Sequence, residues 1–304
     1  MQPIAPFLWF EGQADEAVAL YVSAFEQGRI DFVMRYPDGP LEGPIQGMEG
    51  KVLTAGFELA GRRFMALDGG PYFKLKPSIS FFVGCETEAQ IDRLWATLVE
   101  GGAVLMEYGP YPFSPKYGWL QDKYGVSWQL SLSGQPQSIS PYFLFVGPHY
   151  GQAEEAIRHY MSLFPASELL AIQHAEGEAG GGQGAVQFAL FTLNGQPFMA
   201  MEDNNPGHEF AFNEAVSLCV DCATQEEIDA LWERLSAVPE AEQCGWLKDK
   251  FGVSWQIVPE VLYRFHLDAD PVAAKRVMDV LFTMKRLDIA QLEAAYRGEE
   301  PPTL

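Results

Sequence analysis

Two hydrophobic periods alternate along this chain, and the alternation runs through four times. Ile4 to Phe10 is a short apolar run of strand length, and Asp15 to Phe25 then sets Ala17, Leu20, Tyr21 and Phe25 at helical spacing before Gly28 ends it. Arg29 to Tyr36 and Lys51 to Leu59 are β-patterned, and the turn Ala60-Gly61-Arg62 leads into a further strand, Arg63 to Leu67. The order then begins again. Ser78 to Cys85 predicts a strand, Thr87 with Gln90 forms a capping box for a helix through Leu98, and Gly101-Gly102 stops it. Val104 to Glu107, Gly118 to Gln121 and Val126 to Leu132 complete the second βαβββ unit.

The second half says the same thing again. Gly118-Trp-Leu-Gln-Asp-Lys-Tyr-Gly-Val-Ser-Trp-Gln129 returns as Gly245-Trp-Leu-Lys-Asp-Lys-Phe-Gly-Val-Ser-Trp-Gln256, and Gln13-Ala-Asp-Glu-Ala-Val18 as Gln152-Ala-Glu-Glu-Ala-Ile157. Gly61 to Ala66 matches Gly195 to Ala200, and Ile91 to Trp95 matches Ile228 to Trp232. A period of roughly 135 residues is far longer than a solenoid repeat, so each copy is expected to be a domain of its own. The boundaries read 1–133 and 139–260, with Ser133 to Ser138 as the linker. Loops Pro37 to Met48 and Glu176 to Gly184 are rich in Gly and Pro and join strands. Beyond Pro259 the pattern becomes purely helical, with Asp270 as N-cap and Pro271 at the first helical position, and a shorter helix follows Asp288 and ends near Tyr296. This tail, 261–304, is not repeated and is expected to cover a sheet edge or the domain interface.

Composition narrows the function. With 48% hydrophobic residues the chain can bury two cores, and a formal charge of -21 disfavours nucleic acid and anionic membrane surfaces as partners. A small neutral or weakly charged ligand fits better, and homo-oligomerisation is left open. The start of the chain lacks the pattern of a signal peptide, and no apolar run approaches the ~20 residues of a bilayer span, so a cytoplasmic protein is expected. The cysteines Cys85, Cys219, Cys222 and Cys244 suggest no disulfide framework; Cys219 and Cys222 lie i, i+3 on a strand and face opposite ways.

Paired βαβββ units, the Gln-Ala-Asp/Glu-Glu-Ala helix opening and the Gly-Val-Ser-Trp-Gln strand together resemble the PhnB-like branch of the vicinal oxygen chelate superfamily. Within it they resemble the domain family labelled demethylubiquinone 3-methyltransferase-like. Phe210-Ala-Phe-Asn-Glu-Ala-Val-Ser217 and Cys244 to Pro259 are typical of that group. The resemblance implies an α+β fold of tandem glyoxalase-like domains, each with two βαβββ units around a cupped sheet, plus the helical tail. In the superfamily's enzymes a divalent metal hangs from three strands of the cup. Those positions align with Pro6, Ser78 and Gln129 in the first copy and Pro141, Ala215 and Gln256 in the second. Proline and alanine offer no ligand and glutamine is neutral, so no metal and no other cofactor is expected. His149, His159, His174, His208 and His266 read as surface or structural histidines. Methyl transfer would need a nucleotide-cradling glycine turn, and Ala179 to Gly184 reads as a hairpin loop instead.

What remains is an aromatic-lined cup. On the last strand of the first copy Ser127 and Gln129 share one face, with Trp128 on the other packing against a helix; Ser254 and Gln256 correspond. Trp119 and Trp246 open the preceding strand, and Trp9 and Phe145 could add to the lining. Asp68 and Glu202 end equivalent strands, either solvated or facing the cup mouth, and Asp122-Lys123 and Asp249-Lys250 read as turns with solvated ion pairs. The expected ligand-binding residues are Trp246, Ser254, Gln256, Glu202 and Cys244 in the second copy, the better candidate, and Trp119, Ser127, Gln129 and Asp68 in the first. No catalytic residue is assigned. Two alternatives stand beside this reading: a metalloenzyme of glyoxalase or dioxygenase type using Glu202, His208 or Glu58, and a structural module in which the duplication mimics a dimer of single-copy relatives.

Overall fold

The computed structural model of the protein describes residues 3–41, 45–176, 184–267 and 270–299. These fall into two compact units, Pro6–Val216 and Met1–Ala5 with Ser217–Leu304.

The larger unit opens with β1 (Ala5–Phe10), α1 (Ala14–Ala24), β2 (Arg29–Arg35), β3 (Val52–Leu59) and β4 (Arg62–Asp68), laid side by side as β1-β4-β3-β2 with β1 parallel to β4. It continues with β5 (Ile79–Cys85), α2 (Glu88–Val99), β6 (Ala103–Tyr111), β7 (Ser114–Gln121) and β8 (Ser127–Leu132). The second copy then contributes β9 (Ser138–Phe145), α3 (Ala153–Leu163), β10 (Leu169–His174), β11 (Val186–Leu193) and β12 (Gln196–Glu202). Thr87 caps α2 as the sequence predicts, accepting from the Gln90 N–H, while the Gln90 side chain accepts from the Glu86 N–H, one residue before the cap, rather than from Thr87 itself.

β5 to β12 make one eight-stranded sheet in the order β10-β11-β12-β9-β5-β8-β7-β6. Its centre is the antiparallel pair β5 and β9, from Ile79 opposite Phe143 to Gly84 opposite Ser138. The sheet therefore joins the last unit of the first copy to the first unit of the second, whereas the sequence places a cup within each copy. The short connection Ser133–Gln137 accounts for this, because it brings the chain straight back along β5. Arg62 adds a tie between the copies, donating to the Pro197 carbonyl at 2.9 Å and lying over the Phe198 ring at 4.7 Å.

The sheet's two faces differ in kind. One packs against helices: Trp128 touches the rings of Tyr21 and Phe25 from α1, Phe143 meets Tyr160 of α3, and Gly118 lies so close to Trp95 of α2 that a Cβ would stand 2.4 Å from its ring. Fully buried aromatics on this side, among them Trp128, Phe81, Phe143 and Phe198, make the core. Among the described residues no α-helix of this unit packs on the other face.

The smaller unit holds β13 (Val216–Cys222), α4 (Gln225–Leu235), β14 (Trp246–Lys248) and β15 (Ser254–Pro259), with β15 between the other two strands. The tail follows as α5 (Val261–Leu267), α6 (Pro271–Leu281) and α7 (Ile289–Arg297). The caps are those the sequence predicts, with Asp270 accepting from the Val272 and Ala273 N–H groups and Asp288 from that of Gln291. Among the described residues no helix is long and apolar enough to cross a membrane. The Gly-rich loop 179–183 lies outside the described residues.

Candidate functional site

Strand alternation and register put Ser127, Gln129, Tyr117, Trp119, Ser80, Tyr142 and Met199 on the helix-free face of the eight-stranded sheet. Trp119 stands opposite Gln129, Ser80 opposite Tyr142, and Tyr142 beside Met199. Their polar groups are bonded to each other. Tyr117 donates to Gln129 Oε1 at 2.7 Å, Gln129 Nε2 donates to Ser80 Oγ at 2.7 Å, and the Trp119 indole N–H donates to Ser127 Oγ at 2.7 Å. Burial pushes the Tyr117 and Tyr142 phenols well above their ordinary range, so both stay neutral. Trp119, Phe82, Leu190 and Met201 are half-buried and border this polar floor. The inner strands β12, β9, β5, β8 and β7 place no charged side chain on the face.

The carboxylates have another purpose. Asp68 is 1% exposed and accepts from the N–H groups of Gly12, Ala14 and Val52; Glu202, 3% exposed, accepts from those of Ala153 and Val186. Each ties the start of a helix to the start of a strand, where the helix N-terminus favours a negative charge. Neither is solvated nor part of the helix-free face, contrary to both readings the sequence allows. Asp122 and Asp249 are not solvated ion pairs either. Asp122 accepts from the Tyr124 and Val126 N–H groups, the Trp128 indole and the Tyr21 hydroxyl, and desolvation raises its pKa. Asp249 repeats the pattern with Phe251, Val253 and Trp255.

In the second copy Gln256 donates to Ser217 Oγ at 2.9 Å, as Gln129 does to Ser80. The tail closes this region. The Tyr263 hydroxyl of α5 donates to Asp221 at 2.7 Å and lies 3.7 Å from the Cys219 thiol, and both residues share a strand face with Ser217. The N–H groups of Cys244 and Gly245 donate to the Met284 and Lys285 carbonyls. Cys219, Asp221, Ser254 and Gln256 are all 5% exposed or less. Among the described residues Ser254 Oγ has no hydrogen-bond partner, unlike its counterpart Ser127, and burial pushes the Cys244 thiol up to about 11. The tail thus lies against Cys219, which stands beside Gln256, and against Asp221 and Cys244, while Cys244 lies beyond the pairing of Trp246 with Gln256 and Lys248 with Ser254. Trp246, half-buried opposite Gln256, keeps its strand position.

A signal for this difference exists in the sequence. The offset between copies falls from 137 residues at Trp95 and Trp232 to 127 at Gly118 and Gly245, so the second copy lacks ten residues where the first builds the β6–β7 hairpin. The tail's 284–287 segment runs beside β14 there. That hairpin also supplies Tyr117, whose partnership with Gln129 the sequence reading missed.

The positions aligned with metal ligands need adjusting. The serines that Gln129 and Gln256 meet are Ser80 and Ser217, rather than Ser78 and the position of Ala215. Pro141 stands opposite Phe81 on the helix-packed face, and its neighbour Tyr142 turns toward Ser80. A divalent ion does not fit this set, whose neutral oxygens already bond one another. Among the described residues no group of three or more His, Cys, Asp or Glu could hold a metal. Glu58 pairs with Arg29 at 2.7 Å and His208 with Asp203 at 2.8 Å, so these and Glu202 do not converge. His174 pairs with Glu154, His149 lies beside Gln152, and the side chain of His266 is outside the described residues. Phe145 packs edge-on against Phe212 on the helix side, and Trp9 donates to the Gly70 carbonyl, so neither lines the face.

Residues 2–131 and 137–258 each match the family model described as 3-demethylubiquinone-9 3-methyltransferase. A PhnB protein from Bacillus cereus, titled with the same methyltransferase description, is 48% identical over 43% of this chain and 100% of its own, with a TM-score of 0.40. A protein from Staphylococcus aureus is 36% identical over 43% of this chain and 97% of its own, at a TM-score of 0.19. Glyoxalase I from Zea mays matches in fold alone, with 11% identity over 88% of this chain and 98% of its own at a TM-score of 0.53. No curated protein matches the chain.

Proposed function

The chain belongs to the 3-demethylubiquinone-9 3-methyltransferase (PhnB-like) family in two tandem copies with a glyoxalase-like fold, and on that premise we propose that it is a metal-free, small-molecule-binding protein whose ligand lies on the helix-free face of the eight-stranded sheet. Gln129 and Ser80 fix the ligand's polar group, and Trp119 covers its apolar part. The observation that carries this reading is the neutral Tyr117–Gln129–Ser80 line, set among half-buried Trp119, Phe82 and Met201. Small-molecule sites combine apolar walls with a few convergent polar groups, and this face has that composition. The site proposed in the second copy, around Trp246, Ser254 and Gln256, is secondary because the tail lies over it.

A thermal-shift screen of small neutral aromatics against wild type, Gln129→Leu and Gln256→Leu tests the proposal. Gln129→Leu should weaken binding by ~1 to 3 kcal/mol, the usual cost of an unpaired buried group, and Gln256→Leu should leave it unchanged. A hit that stabilises wild type and Gln129→Leu equally would remove Gln129 from the site.

A further inference from the structure

We infer that the ligand of the helix-free face is a hydrogen-bond acceptor, a neutral flat molecule bearing a carbonyl-type oxygen. This rests on the reading of that face as the binding surface and adds the polarity of what it binds. An indole N–H can only donate, so Ser127 must accept from Trp119, and the serine's own hydrogen remains to be given elsewhere. The second line runs hydroxyl to amide to hydroxyl. Tyr117 donates to Gln129 Oε1 and Gln129 Nε2 donates to Ser80 Oγ, which leaves the Ser80 hydrogen unspent. Turning the amide over would reverse both bonds and merely move the unspent hydrogen to Tyr117, so one hydroxyl of the line ends as a donor in either orientation.

Among the described residues neither Ser80 nor Ser127 donates to a partner, and the amide oxygen of Gln129 is already engaged. Ser80 Oγ, Ser127 Oγ and Gln129 Oε1 each already accept one hydrogen bond, whereas the two serine hydrogens are unmatched, so the unmet demand of the floor is for an acceptor. Ser80, Ser127 and Gln129 are 1, 2 and 6% exposed, so what reaches them is a single oxygen rather than a ring. Charge narrows the class further. The inner strands offer the oxygen no cation, and the chain's formal charge of -21 opposes a carboxylate or phosphate. A neutral carbonyl oxygen meets both conditions, with its aromatic body against Trp119.

Three naphthalenes of similar shape separate the possibilities: 2-acetylnaphthalene (acceptor only), 2-ethylnaphthalene (neither) and 2-naphthol (donor and weaker acceptor), titrated into the full chain by tryptophan fluorescence. The acetyl compound should bind about tenfold tighter than the ethyl compound, a preference that Ser80→Ala and Gln129→Leu should each reduce, while the naphthol gains less than the acetyl compound. Equal binding of all three that Trp119→Ala abolishes would overturn the polarity while keeping the binding face. Binding that Trp119→Ala and Gln129→Leu both leave untouched would overturn the binding face and the polarity with it. Circular dichroism of each variant separates lost binding from lost fold.

Discussion

Asp122 gives the sharpest test of how the repeat holds its strands. One carboxylate gathers four donors, the Tyr124 and Val126 N–H groups at 2.9 and 3.0 Å, the Trp128 indole at 2.8 Å and the Tyr21 hydroxyl at 2.7 Å. Removing it by Asp122→Ala strands the Val126 and Trp128 donors in the interior, and each unsatisfied buried donor costs ~1 to 3 kcal/mol. The Tyr21 hydroxyl loses its acceptor but can turn, and Tyr124 N–H is only partly buried. Relief of the carboxylate's own desolvation, which raises its pKa, offsets part of the loss. The expected net cost is about 3 to 5 kcal/mol, within the range of broken buried networks. Asp122→Asn keeps an acceptor for the two backbone groups but can turn its NH2 toward the indole N–H, so it should cost roughly 1 to 3 kcal/mol. Urea unfolding of the full chain, followed by tryptophan fluorescence, reads both values. A change under about 1 kcal/mol for Asp122→Ala would refute the claim that this carboxylate organises the turn, the helix contact and the last strand together.

Other expectations follow from the same geometry. Asp68→Asn and Glu202→Gln should each lower stability by ~1 to 2 kcal/mol in urea unfolding without changing ligand affinity, because both carboxylates are spent on backbone N–H groups; a selective loss of binding would return them to the site. Cys244, its thiol pushed up to about 11 by burial, should react with iodoacetamide at pH 8 about a hundredfold more slowly than an unperturbed thiol, and faster as pH climbs toward that value. Cys219 should be protected from thiol reagents in the native protein and lose protection in Tyr263→Ala; unchanged protection would show that α5 is not what covers it.

Much of this architecture was legible in the sequence because local chemistry dictates it. The four units, the caps at Thr87, Asp270 and Asp288, and the opposition of Gln129 to Trp128 are all set within a few residues of chain. Partner choice across distance was not. Nothing near β5 says that its antiparallel neighbour is β9, a strand of the other copy. Asp68 looked like a strand-end carboxylate because its three N–H partners lie 16 to 56 residues away. Tyr117 was passed over because its value comes from standing across from the last strand, where its hydroxyl meets Gln129. The covering of the second copy was readable only indirectly, from the ten-residue shortfall that removes its hairpin and the unrepeated tail that follows.

The proposed binding face is single and metal-free, built on Gln129, Ser80 and Trp119, and calorimetric titration of 2-acetylnaphthalene into protein dialysed against EDTA, repeated after adding back zinc, nickel or manganese, decides whether it is so. One molecule should bind per chain with the same affinity before and after metal is restored, and none with comparable affinity in Gln129→Leu. Binding that appears only with metal, or two equivalent molecules per chain, would rule this face out as proposed.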